Sequence, residues 1–313
     1  MKDECCCYVI DQGYLFPTVL SAAQARKATC VDTTDIKIFC IGSENAETLP
    51  FQNVCESLGV ELVFAPPAAI DHMPILFARF FLSRLLDPAY RSIVYVDGDT
   101  QISGSLQPLL DIELEPGRFI AAPDPMSILI DQPRRMWRKR RAYLQSIGIA
   151  DAVLQRYCNS GVLRFNLRDW EAISTAVIET SSRHGHELKF PDQDALNLMF
   201  GTDYLTMSYR WNFPSFFLAC GFEDLITPTI YHFMSNPRPW HGPFQPWGDA
   251  WHEPYLRLAS EHPELARFHK AFGPIKTAKY IAQQRIKSAI ELPLWRSSLV
   301  RERIERHEAR AYV

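Results

Sequence analysis

Several functional signatures are missing from this 313-residue chain. Neither a G-x-G-x-x-G nor a P-loop pattern occurs, which excludes the usual glycine-rich phosphate cradles. No run of about 18 apolar residues is present, so no transmembrane helix is expected. The eight cysteines form no C-x-x-C pair, and a structural zinc site is not expected. Cys5, Cys6 and Cys7 sit side by side on one predicted strand, where successive side chains face opposite ways and cannot share one ion. Net charge is small: 33 Lys and Arg against 36 Asp and Glu leave −3. The broad basic field that grips nucleic acid is therefore absent, and no nucleic-acid partner is expected. The apolar stretch of MKDECCCYVI is short and follows Asp3 and Glu4, a poor signal peptide. The expected setting is the reducing cytosol. Internal repeats and low-complexity tracts are also lacking.

What remains is a chain rich enough in hydrophobic residues (47%) and aromatics (12%) to bury a sizeable core, which excludes disorder. Predicted strands over 5–10, 35–41, 60–64 and 93–96 alternate with predicted helices over 16–27, 51–58 and 75–86. That alternation indicates an α/β sheet with helices on its faces. Further strands are expected over 119–122, 161–166 and 229–233, with helices over 132–145, 169–182 and 192–200. The final sixty or so residues read as helical, interrupted at Pro274 and Pro293. In such sheets ligands bind beyond the carboxyl ends of the strands, where Asp11 and Asp97 both fall.

Asp97 and Asp99 follow the apolar run 93–96 at a spacing of i, i+2. On extended backbone both carboxylates face one way, and Gly98 between them permits close approach of another group. Two hard oxygen ligands at a strand end suit Mg²⁺ or Mn²⁺ on a diphosphate. A solvated turn is the plainer alternative. The D-x-D of haloacid-dehalogenase phosphatases fits poorly: Gln101 stands where that motif has Thr or Val, and the pair lies far from the start of the chain.

Six segments extend the pattern in order. They are Asp11-Gln-Gly-Tyr14, Phe77-Ala-Arg79, Tyr95-Val-Asp97-Gly-Asp99, Asn159-Ser-Gly161 through Asn166, Pro191-Asp192-Gln193-Asp194, and His232 through Arg238-Pro-Trp-His241. Together they resemble glycosyltransferase family 8 over roughly residues 8–245. The resemblance implies a GT-A nucleotide-sugar-binding fold around a mostly parallel sheet, with a catalytic domain taken as 1–250. The change of character after Trp251 sets off a basic helical extension over 251–313. It implies a UDP-hexose donor carrying glucose or galactose, a divalent metal (Mn²⁺, or Mg²⁺), and transfer with retention to a glycan or glycolipid. By position, Asp97, Asp99 and His232 match the metal ligands. Asp192 and Gln193 match the segment under the reacting sugar, and Asp192 is also a plausible helix N-cap. Asp11, Tyr14, Arg79, Gly98, Asn159, Ser160 and Arg238 match donor-binding positions, with Arg238 where the family usually has Lys. Asp124 matches an acidic position on the acceptor side.

Two basic segments stand apart. Arg134, Arg135, Arg138, Lys139, Arg140 and Arg141 crowd one stretch, either a solvated helix face or a contact for an anionic acceptor or membrane. Residues 265–313 carry eleven Lys or Arg and four Asp or Glu, interleaved with Phe268, Phe272, Tyr280 and Trp295. Such a tail can lie on anionic lipid without spanning it, which would make the protein peripheral on the cytoplasmic membrane face. Two other functions stay open at this point: a catalytically inactive nucleotide-sugar- or partner-binding protein on the same fold, and a glycogenin-like enzyme that glycosylates itself.

Overall fold

The computed structural model describes residues 2–313. Its main sheet has seven strands: β1 (Glu4–Asp11), β2 (Thr34–Ile41), β3 (Glu61–Ala65), β4 (Ser92–Val96), β6 (Phe119–Pro123), β7 (Cys158–Asn166) and β8 (Leu205–Thr206). They lie in the order β3-β2-β1-β4-β7-β6-β8. Only β7 runs against its neighbours; the other pairings are parallel. A sheet of this kind must be covered on both faces. Accordingly Cys6, Tyr8 and Ile10 enter one hydrophobic core, and Cys5, Cys7 and Val9 enter another. The cysteine run is thus two-sided packing material, free of disulfides.

The antiparallel strand matters for function. Asp11 closes β1, Asp97 follows β4 and Asp124 follows β6, all at one sheet edge. Because β7 is reversed, its first residues, Cys158 to Ser160, arrive at that same edge. A second, three-stranded sheet stands beside it, ordered β5 (Thr100–Ile102), β10 (Ile230–His232) and β9 (Phe213–Pro214). Its register sets His232 opposite Thr100 and Pro214.

Some expected elements take another form. The stretch 75–86 is a 3₁₀ segment, Ile75–Phe81, followed by one short α turn, Leu82–Leu85. Phe77, Phe80 and Phe81 are all buried there, a demand on packing that a regular amphipathic helix does not meet. Pro274 opens the helix Pro274–Trp295, where a missing N–H costs nothing, and Pro293 lies within its last turn without ending it.

The final helix, Ser298–Glu308, docks against the main body through buried Val300 and Ile304. Arg303 pairs with Asp131 at 2.7 Å, and the Glu308 carboxylate accepts from Ser208 and from the Tyr209 N–H. His307 Nε2–H donates to the Met207 carbonyl at 3.0 Å. Burial pushes the His307 imidazole down to about 4 from its ordinary 6.5. Between those values the unfolded chain binds the proton and the folded chain does not, so stability falls as pH drops through this window. The full contribution is on the order of 3 kcal/mol. Glu308, which burial raises, acts in the opposite sense. Comparison with His307→Gln isolates the histidine: the variant should show a flatter dependence of Tm on pH between 6.5 and 4. An unchanged slope would refute the assignment.

Candidate active site

Three ligand atoms, one each from Asp97, Asp99 and His232, lie within 4.8 Å of one another. Strand pairing explains the convergence. Asp99 directly precedes β5, and the β5–β10 register carries His232 across to it. His232 Nε2 stands 3.2 Å from Asp99 Oδ1 and 3.8 Å from Asp97 Oδ2. Its Nδ1–H donates to Asn212 Oδ1 at 2.8 Å, which leaves the Nε2 lone pair facing the two carboxylates. Two carboxylates and an imidazole could hold a divalent metal ion.

The two aspartates are not equivalent. Asp97 Oδ1 accepts from the Tyr95 hydroxyl and faces Arg79 at 3.2 Å. Burial nevertheless pushes the Asp97 carboxyl up. Asp99 is buried too, but His232 and Arg238 overcome that cost and hold its carboxyl at about 2. Arg238 spends both Nε (3.0 Å) and Nη2 (2.9 Å) on Asp99 Oδ2.

Glycines make room for this packing. A Cβ on Gly161 would lie 2.3 Å from His232 Cε1 and 2.8 Å from Asp97 Oδ2. At Gly98 the close approach comes from within the protein: a Cβ would lie 2.3 Å from Thr18 Oγ1.

Arg79 links the acidic pair to Asp192, whose Oδ2 is 3.7 Å from Nη2 and accepts from Ser160 Oγ at 2.9 Å. The Arg79 backbone is anchored by the Trp170 indole N–H, which donates to its carbonyl at 2.8 Å. Asp192 is not a helix N-cap. It sits in the first turn of Pro191–Phe200, and Asp194 instead accepts the Phe190 N–H at 2.9 Å.

A directed relay of hydrogen bonds crosses the site. His232 donates to Asn212, Asn212 Nδ2 to Asn159 Oδ1 (2.8 Å), Asn159 Nδ2 to Gln193 Oε1 (2.9 Å), and Gln193 Nε2 to Asp124 Oδ2 (3.1 Å). Each amide is thereby fixed in orientation by its two neighbours. Asp124 also faces Arg140 Nη2 at 3.3 Å. On the opposite flank, Asp11 is exposed and accepts the Gly13 N–H at 2.8 Å. Tyr14 packs edge-on to Trp240 at 5.9 Å, and Arg238 stands over both rings. Burial, reinforced by Asp99, pushes the Tyr14 phenol up to about 12, so it stays neutral.

The structure thus gathers Asp97, Asp99, His232, Arg79, Asp192, Ser160, Asn159, Gln193, Asp124 and Arg238 into one connected network. Asp11 and Tyr14 lie at its rim, on the β1 side. Asn212 and Arg140 belong to the network but were not singled out by sequence. Asn212 has no motif of its own, and Arg140 was one of six neighbouring cations.

Residues 5–243 match the family described as Glycosyl transferase family 8. The chain belongs to glycosyltransferase family 8. A lipopolysaccharide 1,2-glucosyltransferase of Escherichia coli is 26% identical over 222 residues, which cover 66% of this chain and 57% of that relative. A lipopolysaccharide 1,3-galactosyltransferase of Salmonella typhimurium is 22% identical over 260 residues, covering 77% and 73%. The chain therefore spans little more than half of the first of these relatives. Among solved structures, the galactosyltransferase LgtC in complex with donor and acceptor sugar analogs superposes with a TM-score of 0.63 at 23% identity, over 82% of this chain and 95% of that one. The architecture is the GT-A fold, with a mostly parallel sheet flanked by helices. The family 8 resemblance and the α/β class expected from sequence both hold.

Proposed function

We propose that this family 8 member is a retaining hexosyltransferase that moves glucose or galactose from a UDP-sugar to a glycan or lipid-linked acceptor with the aid of Mn²⁺ or Mg²⁺. The observation that carries this is the convergence of Asp97, Asp99 and His232, with Arg238 closing over Asp99. A divalent ion held there would neutralise charge gathering on a departing diphosphate. Arg238, freed from Asp99, offers the same diphosphate two parallel N–H donors. Asp11, Tyr14 and Trp240 form the rim that would take the uridine. Arg79 holds Asp97 and Asp192 in fixed relation beside the reacting sugar. Gln193 is locked by Asn159 and Asp124 and would orient that sugar, with Asp124 toward the acceptor.

Asp192 Oδ2 is committed to Ser160 and Arg79, which leaves only Oδ1 for a covalent nucleophile. Same-face attack, with the leaving phosphate taking the acceptor proton, needs no protein nucleophile and is the route we propose. The site residues are all present, which favours an active enzyme over an inactive binding protein. The test is release of UDP from UDP-glucose and UDP-galactose with and without Mn²⁺. Metal-dependent release from one of the two is expected; none from either overturns the proposal.

No helix among the described residues is long and apolar enough to cross a membrane. The helix Pro274–Trp295, however, exposes Ile275 (87%), Ile286 (65%) and Ile290 (65%) beside Lys279, Arg285 and Lys287. Apolar side chains flanked by cations are the pattern of a helix lying in a lipid interface. We therefore place the protein at the cytoplasmic membrane face through this helix. It should float with anionic liposomes at low salt, and Ile286→Glu together with Ile290→Glu should leave it in the soluble fraction. Failure of the unaltered protein to float refutes the membrane contact.

A further inference from the structure

We propose that the acceptor carries an anionic group, a phosphate or a carboxylate, and that Arg140 selects it. This rests on the assignment of Asp124 to the acceptor side. Arg140 projects from the basic helix Arg135–Ser146 onto Asp124 Oδ2, at 3.3 Å from Nη2. The contact is an ion pair without hydrogen-bond geometry: Nε and Nη2 are both buried and have no hydrogen-bond partner. The guanidinium lies over the rings of Tyr157 (5.4 Å) and Phe190 (5.8 Å), and Phe190 is half-exposed. A planar cation is thus held between a carboxylate and two rings with its directional donors unspent. Asp124 Oδ2 also accepts from Gln193 Nε2, so it stays partnered when Arg140 turns away.

The surroundings reinforce the charge. Arg134, Arg135, Arg138, Lys139 and Arg141 flank Arg140, and no acid occurs from 132 to 150. Among the described residues, Arg140 alone of these six makes an ion pair. Lys189 adds a further cation at the same border, over the ring of Tyr143, whose hydroxyl donates to Asp194. A neutral glycan needs no such field, whereas an acceptor bearing oxyanions is drawn in by it and can pair with the guanidinium as Arg140 turns outward from its poor contact with Asp124.

The test measures UDP release at fixed UDP-sugar and Mn²⁺ with three methyl hexosides as acceptors: neutral, the corresponding uronic acid, and the sugar phosphate. The unaltered enzyme should prefer one anionic form over the neutral one by about tenfold or more in kcat/KM. The arm that responds identifies carboxylate or phosphate. R140Q should abolish the preference, read as a ratio within one preparation, and R140K should restore part of it. Equal use of neutral and anionic hexosides, or a preference that survives R140Q, overturns the inference and leaves the transferase assignment standing. Absence of UDP release in every arm, acceptor-free included, overturns both.

Discussion

Asp99→Asn should lower metal-dependent UDP release by about 10²–10³-fold or more, the usual consequence of removing a group that stabilises charge on a leaving anion. Asp97→Asn should do the same, by a partly different route. Asp99 offers Oδ1 toward His232 and Oδ2 to Arg238, and those two neighbours keep its carboxyl at about 2. Its replacement removes a permanently charged ligand and leaves Arg238 without its resting partner. Asp97, by contrast, is pushed up by burial and is held through Tyr95 and Arg79. Loss of its charge releases Arg79 toward Asp192, so Asp97→Asn should also disturb the sugar end of the site. The measurement is a Mn²⁺ titration followed by both binding heat and UDP release. Both variants should lose binding heat; only Asp97→Asn should also raise the KM for the UDP-sugar at saturating metal. Unimpaired turnover in both variants, with EDTA present, would sink the metal assignment.

Legibility in the sequence followed physical range. Strands β1 and β4 stand out as apolar runs because both their faces are buried, β2 and the edge strand β3 are apolar on a partly covered surface, and the acidic pair is marked by its place after β4. Short strands are another matter. β5 and β9 span three and two residues, too few for a periodic signal, yet their pairing with β10 is what sets His232 and Asn212 against the aspartates. The resemblance to family 8 supplied His232 where periodicity could not. Nothing local marks Asn212, whose role exists only once three distant segments meet. Arg140 was visible as charge, but which of six cations turns inward depends on helix phase around buried Trp137 and Leu144. The N-cap expectation for Asp192 failed for a similar reason. Phe190 takes the cap position ahead of Pro191, and Asp194, held by Tyr143 and Tyr157 inside the first turn, reaches back to the Phe190 N–H.

Gly161→Ala should cost nearly as much activity as loss of a metal ligand, although it removes no functional group. The added Cβ would stand 2.3 Å from His232 Cε1, 2.8 Å from Asp97 Oδ2 and 3.0 Å from Asn159 Oδ1. None of these can retreat freely. His232 is pinned by Asn212 behind it, Asp97 by Tyr95 and Arg79, and Asn159 by Gln193 and Asn212. The Gly161 carbonyl also accepts the Asp97 N–H at 2.8 Å, so the backbone cannot shift without moving the aspartate itself. The methyl group must therefore push the imidazole or the carboxylate out of register, and errors of this size at a reacting centre cost about 10²-fold. The β7 strand pairs on both sides well beyond this residue, so the chain should still fold, with a modest fall in Tm. Weakened Mn²⁺ binding together with the lost turnover places the damage at the ligand trio. Normal Mn²⁺ affinity and turnover in Gly161→Ala would mean that His232 is free to move, and that the relay from Asn212 does not hold it.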